Sequence, residues 1–271
     1  MSFPGAQADP DEAAYVVLGA PLDATTTFEP GARFGPRRVR HYAGAFEDYD
    51  RRTDARFTDL AVADHGDVDP GADVAEYLTF LEGAVGDYAA DGAVPLVLGG
   101  EHTVSLAAIR ALAPDVLVTL DAHLDLRSTY AGADLTHATV THHALEVVDR
   151  VVVLGARSGS EREWARARDA DVPVRAVPPS AVPDWEPALD GERAYLSVDV
   201  DAADPGFAPA TGTREPLGLA PAAMDRVVRA VAPAAVGADV VEVTDRDHGE
   251  TATLAAKLLR GFVYAHAAAG A

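Results

Sequence analysis

Six short apolar runs, Tyr15 to Leu18, Val94 to Leu98, Val116 to Leu120, Val151 to Leu154, Tyr195 to Val198 and Val240 to Val243, recur along the chain. They are β-branched and largely lack the polar alternation of a strand with one wet face, so each predicts a strand buried on both sides, as in a parallel sheet. Between them lie helical periods. Val74, Tyr77, Leu78, Leu81, Val85 and Tyr88 form one stripe, and Met224, Val227, Val228 and Val231 another. Ser160 and Glu163 have the spacing of a capping box, which predicts a helix beginning near Glu161. This alternation gives an α/β fold, a three-layer α/β/α domain with a mainly parallel sheet. The 271 residues, 48% of them hydrophobic, can bury one large core, and no linker, repeat or composition break divides them, so 1–271 reads as a single domain.

Three of the runs are closed by residues that bind metals: Gly99-Gly100-Glu101-His102, Asp121-Ala122-His123-Leu124-Asp125 and Asp199-Val200-Asp201. Strand ends are where α/β proteins place their sites. Residues two apart share a strand face, which groups Ser197, Asp199 and Asp201, and likewise Thr119, Asp121 and His123. Asp125 would lie roughly 13 Å from Asp121 on a straight strand, so the chain must curl just after Asp121 for both to reach one cluster. Taken singly, an Asp-x-Asp is an ordinary turn or cap and a histidine after two glycines an ordinary loop residue. Together at strand ends they predict a binuclear metal site with His102, Asp121, His123, Asp125, Asp199 and Asp201 as ligands. If two carboxylates bridge, each ion keeps four protein ligands with room for a shared water, which two ions about 3.5–4 Å apart would acidify. Four carboxylates, two imidazoles and no thiolate favour Mn(II), with Co(II), Ni(II) and Zn(II) left open.

The absence of cysteine removes thiol catalysis, disulfides and thiolate metal sites, and fits a cytoplasmic protein. No apolar stretch approaches the roughly 20 residues of a membrane span, and the first residues are acidic and polar, so a soluble protein without membrane partners is expected. A net charge of −21, spread along the chain, disfavours nucleic acid as a partner. Lys257 is the one lysine. A dispersed acidic surface with almost all its positive charge on arginine suggests adaptation to concentrated salt, where a Debye length of about 3 Å makes self-repulsion tolerable. An ordinary acidic protein from a GC-rich genome is the alternative.

The three ligand motifs, the last extended to Ser-Val-Asp-Val-Asp-Ala-Ala-Asp-Pro, resemble those of the ureohydrolase family, the arginases and agmatinases. The segments Gly19 to Asp23, Pro30 to Pro36, Asp64 to Asp67, Gly155 to Ser158, Pro209 to Thr213 and Asp239 to Val243 follow in the family's order, so the resemblance spans about residues 15 to 265. It implies an arginase-like sheet of about eight strands, two Mn(2+) ions per subunit, a homo-oligomer (trimer or hexamer), and attack of a metal-bridging hydroxide on the carbon of a small-molecule guanidino substrate. An acid at the end of an apolar strand can equally be a solvated terminus. The match of Asp-Val-Val-Glu-Val to the family's guanidinium-binding segment implies that Glu242 receives the substrate through two parallel N–H bonds. Resemblance likewise gives Asp125 the transfer of a proton to the departing amine and His137 a proton shuttle, which an ordinary pKa of about 6.5 suits. Without it, His137 reads as a loop histidine; His142 and His143 are assigned no chemistry. Glu101 is expected to orient His102 by a hydrogen bond, and Gly99 and Gly100 to permit a tight turn close to the metals.

Leu126 to Tyr130 resembles the archaeal agmatinase branch more than the arginases, which implies cleavage of agmatine to putrescine and urea. That branch usually carries acids where this chain has Ser128 and Thr129, and arginines at His142 and His143. Arg127 is a substrate-binding candidate of a different kind, a cation able to meet a carboxylate and so to suit guanidinobutyrate or formiminoglutamate; an arginase is a further alternative. Arg214 and Leu217 also depart from the pattern, in a loop near the site. Two other classes are a single-zinc, deacetylase-like amidohydrolase, against which the six-ligand set argues, and a metal-binding inactive paralogue with a regulatory role.

Overall fold

The computed structural model describes residues 1–71 and 73–270. Its strands are β1 (Tyr15–Ala20), β2 (Tyr49–Asp50), β3 (Ala55–Arg56), β4 (Val62–Asp67), β5 (Val94–Gly99), β6 (Val116–Leu120), β7 (Arg150–Leu154), β8 (Val174–Val177), β9 (Ala194–Asp199) and β10 (Ala235–Val241). The main helices are α1 (Gly35–Ala43), α2 (Val74–Ala90), α3 (Ser105–Leu112), α4 (Val140–Ala144), α5 (Glu161–Ala167), α6 (Pro221–Val231) and α7 (Glu250–Ala269). Eight strands form one parallel sheet in the order β4-β1-β5-β10-β9-β6-β7-β8, and β2 and β3 make a separate hairpin.

Each central strand divides its side chains between two cores. Val17, Leu96, Leu98, Val118, Leu196 and Val240 pack with residues of α1, α6 and α7. Val16, Leu18, Val97, Leu117, Tyr195 and Val241 pack with residues of α2, α3 and α4. Covering both faces is what the near-continuous apolar runs require. The expected stripe on α6 is buried, that on α2 is buried at Tyr77, Leu78, Leu81 and Val85 with Val74 and Tyr88 partly covered, and Ser160 and Glu163 form the expected reciprocal capping box at the start of α5.

The apolar runs identify the six inner strands but announce neither margin, because β4 carries Asp64, His65 and Asp67 and Val-Arg-Ala-Val of β8 exposes Arg175. The run expected over Val240 to Val243 ends as a strand at Val241. Beyond it Glu242 turns left-handed with φ +64°. At the β4 end, Asp64 takes Arg40 Nε and Nη2 at 2.8 and 2.9 Å, and Asp67 takes its Nη1. Since Arg40 is buried, that family-like segment serves as the anion for a buried guanidinium on α1.

Candidate metal centre and active site

Four adjacent strands in the middle of the sheet, β5, β10, β9 and β6, end side by side, and every predicted ligand sits at or just beyond one of those ends. His102 follows β5, Glu242 follows β10, Asp199 closes β9 with Asp201 after it, and Asp121, His123 and Asp125 follow β6. The chain order reverses here, with β10 inserted between β5 and β9, and such a switch point opens a crevice at the carboxyl ends of parallel strands. The expected curl after Asp121 is present: His123 forms a bridge with Ser158, and Asp125 lies at φ +49°.

The ligand atoms converge in two overlapping groups. His102 Nδ1 lies 3.0 Å from Asp125 Oδ2, 3.2 Å from Asp121 Oδ2 and 3.7 Å from Asp199 Oδ2. His123 Nδ1 lies 2.8 Å from Asp201 Oδ2 and 3.7 Å from Asp121 Oδ1. His102, Asp121 and Asp125 thus make one set, and Asp121, His123 and Asp201 the other, each with its ligand atoms within 4.8 Å of one another. Asp121 belongs to both, the position of a bridging carboxylate.

These residues fit a pair of divalent cations on the protein's own chemistry. Asp121 Oδ2 is buried without a hydrogen-bond partner, a costly state unless something else meets it. Burial raises the carboxyl of Asp125 to about 7, with the charge of Asp121 adding to it, and raises Asp199 well above the usual carboxylate range, aided by Asp201. Burial opposes charge on both imidazoles, yet the surrounding carboxylates outweigh it and hold His102 and His123 well above the ordinary histidine value. Four aspartates facing two histidines leave surplus negative charge in a buried place, which cations would offset.

His102 is oriented from behind, though not by Glu101. Its Nε2 lies 3.1 Å from Ser197 Oγ, whose own proton goes to Asp239 Oδ1 at 2.7 Å. The serine oxygen therefore accepts from Nε2–H, so Nδ1, which faces the aspartates, is the nitrogen that would give up its proton to a metal. Asp239 is buried and also accepts from Tyr195. Gly100 likewise has a role other than approach to metals. Its N–H donates to the Ala20 carbonyl, and an added Cβ would stand 1.9 Å from the Leu22 carbonyl oxygen. Gly100→Ala forces these backbones apart beside the ligand His102. It is expected to lower stability by more than about 3 kcal/mol, read from the denaturant midpoint.

A cavity of about 420 Å³ opens over the cluster, reached by His102, His123, Asp125, Asp199, Asp201, Glu242, His137 and Arg127. Glu242 is 6% exposed. Its N–H donates to the Gly100 carbonyl, and its Oε1 accepts from His102 N at 2.9 Å. His137 Nδ1 donates to the Thr25 carbonyl at 3.0 Å, which turns Nε2 towards Thr27 Oγ1 at 3.2 Å. Arg127 stands at the cavity wall with its guanidinium 3.3 Å from Glu163 Oε2 and 4.8 Å from the centre of the Tyr130 ring.

A model of the arginase family matches residues 13–264. The chain belongs to the arginase family. It is 36% identical to the N(1)-aminopropylagmatine ureohydrolase of Thermococcus kodakarensis over 93% of this chain and 90% of that one. With the agmatinase of Pyrococcus horikoshii it shares 34% over 93% and 91%. The crystal structure of the agmatine ureohydrolase of Thermoplasma volcanium superposes with a TM-score of 0.92 at 34% identity, covering 98% of this chain and 94% of that one. As an arginase-family hydrolase the chain is expected to hold a binuclear metal site, and the six converging side chains are its candidate ligands.

Two features of this arginase-family site escape a reading of the motifs. Ser197 and Asp239 look like polar interruptions of buried strands, and only the pairing of β9 with β10, which sets Ser197 opposite Asp239, makes them one unit. Glu163 was legible as a helix cap, but its contact with Arg127 depends on how α5 docks. Among the described residues no helix is long and apolar enough to cross a membrane.

Proposed function

We propose that the chain is a Mn(II)-dependent agmatinase, cleaving agmatine to putrescine and urea. The observation that carries this reading is a buried carboxylate, Glu242, placed at the floor of a cavity beside six converging metal ligands. His102, Asp121, His123, Asp125, Asp199 and Asp201 would hold two divalent cations, which when bound would supply an acidified water as nucleophile at neutral pH. Glu242 orients the substrate, since Oε2 and the remaining lone pair of Oε1 can accept two parallel N–H bonds from a guanidinium. Asp125 faces the cavity and hands a proton to the departing nitrogen. His137 carries protons between this site and solvent. Burial holds it below the ordinary histidine value, so it stands neutral at pH 7, its Nε2 lone pair shared with the Thr27 hydroxyl that a proton arriving from the site would displace.

An amine-bearing tail is favoured over a carboxylate by the state of Arg127. Its charge is already offset by Glu163 and its plane rests on Tyr130, so an incoming carboxylate would have to compete with an existing anion. The names of the archaeal relatives point the same way.

Chelation followed by reloading tests the metal, and a panel of agmatine, arginine, guanidinobutyrate and formiminoglutamate tests the substrate, in high salt because of the acidic surface. Urea release (formamide for the last substrate) should vanish on chelation, return best with Mn(II), and be greatest with agmatine. Preference for guanidinobutyrate would transfer the tail-binding role to Arg127, and silence on all four would mark an inactive paralogue.

A further inference from the structure

Glu101 is fully buried, pairs with no cation among the described residues, and makes no hydrogen bond to the His102 ring, which Ser197 holds. Its four acceptor positions are all filled by donors from threonines. Oε1 accepts from Thr25 Oγ1 at 2.5 Å and Thr103 Oγ1 at 2.8 Å. Oε2 accepts from Thr25 N at 2.8 Å and Thr26 Oγ1 at 3.2 Å. Three of the four donors belong to the loop that follows β1.

That loop is what holds His137. The Thr25 carbonyl takes the Nδ1 proton, and Thr25 Oγ1 lies 3.3 Å from His137 N. Because the Thr25 hydroxyl spends its proton on Glu101, its lone pairs face His137 N–H, so a single carboxylate decides which way this hydroxyl points. The same clamp fixes the Thr25 carbonyl, and a carbonyl can only accept, so the imidazole carries its proton on Nδ1 and offers Nε2 to the cavity beside Thr27. Burying a polar side chain is expensive, and here its two oxygens satisfy four donors that nothing else would satisfy.

We propose that Glu101 is a positioning residue for proton transfer, clamping the Thr25–Thr27 loop so that His137 presents Nε2 to the substrate cavity. The proposal rests on the reading of His137 as the proton carrier, and it goes beyond that reading in assigning the group that sets the tautomer and place of the ring. Its effect reaches His137 through the loop, and the metals are not its target.

The test is Glu101→Gln, which preserves size but replaces one acceptor oxygen by an NH2 group, leaving two threonine donors without partners. Three results are expected together. In the Mn-loaded enzyme, kcat falls by about 10–100-fold with KM and metal content little changed. In ¹⁵N imidazole spectra the His137 ring loses its preference for the Nδ1–H form. The double variant E101Q/H137N is no slower than His137→Asn alone, because the clamp has nothing left to position. Thr25→Val, which cuts the same link at a more exposed residue, should shift kcat and the ring spectrum in the same direction should Glu101→Gln fold poorly. Loss of bound metal, losses that multiply in the double variant, or an unchanged His137 spectrum would each overturn the proposal. Full turnover by His137→Asn would instead defeat the reading of that histidine as proton carrier, while the spectrum would still decide what Glu101 does.

Discussion

Glu242→Gln is expected to lower kcat/KM for the guanidino substrate by about 10²–10³-fold, the equivalent of roughly 3–4 kcal/mol, with bound metal unchanged. The size follows from where the carboxylate sits. Glu242 is 6% exposed, and burial has already pushed its carboxyl up to about 8, opposed by the His102 N–H and reinforced by the negative charge of Glu101. Such a group is anionic at pH 7 only when positive charge arrives, and a guanidinium is that charge. Glutamine keeps the shape but has one oxygen: turned to His102 N–H it can accept at most one substrate N–H while its NH2 meets the other, and turned away it sets NH2 against His102 N–H. In either case an NH2 donor faces another donor, so the variant loses an ionic bond and gains a repulsive contact.

The backbone makes the position hard to replace from elsewhere. Glu242 lies at φ +64°, a conformation that costs a non-glycine residue about 1–2 kcal/mol, held by the bond from its N–H to Gly100. Steady-state kinetics with metal analysis on the same sample decides the matter. A loss smaller than about threefold would remove Glu242 from the substrate, and metal lost along with activity would reassign it to the ion site.

The convergence of the six candidate ligands was legible because parallel strands impose their order on sequence. A buried strand must be apolar, so a histidine or aspartate at its end stands out, as Asp121 does after Val-Leu-Val-Thr-Leu and Asp199 does after Tyr-Leu-Ser-Val. Residues whose partners come from other strands or loops left no such mark. Glu101 adjoins His102 in the chain, and adjacency suggested that it supports that ligand; yet its side chain turns to Thr25 and Thr103. Arg127 read as a free cation because Glu163 lies 36 residues further on, and sequence cannot show that α5 brings the two to 3.3 Å. Val243 belonged to an apolar run and still lies beyond the strand, because the bond from Glu242 to Gly100 turns the backbone before it.

Asp199→Asn is expected to make the metal-free protein more stable and the metal-loaded protein less so. Burial raises the Asp199 carboxyl well above its usual range, and Asp201, Asp121 and Glu242 add their charges. A carboxyl raised in the folded state binds its proton more tightly there than when unfolded. Stability therefore falls as pH rises from the unfolded value near 3.9 towards the folded one, by about 1.4 kcal/mol for each unit of displacement. Asparagine carries no such penalty and retains an oxygen to accept the Asp201 N–H, now 2.8 Å from Asp199 Oδ1. Under chelation the variant should consequently melt above the parent chain at pH 7, with the gap closing near pH 4, where both side chains are neutral. With Mn(II) in excess the order should reverse, since ligand-linked stabilisation grows with affinity and the variant has lost an anionic donor. A metal-free variant that melts below the parent at pH 7 would mean that the carboxylates do not repel one another. The site would then be a hydrogen-bonded network in its own right, without the surplus charge that argues for two ions.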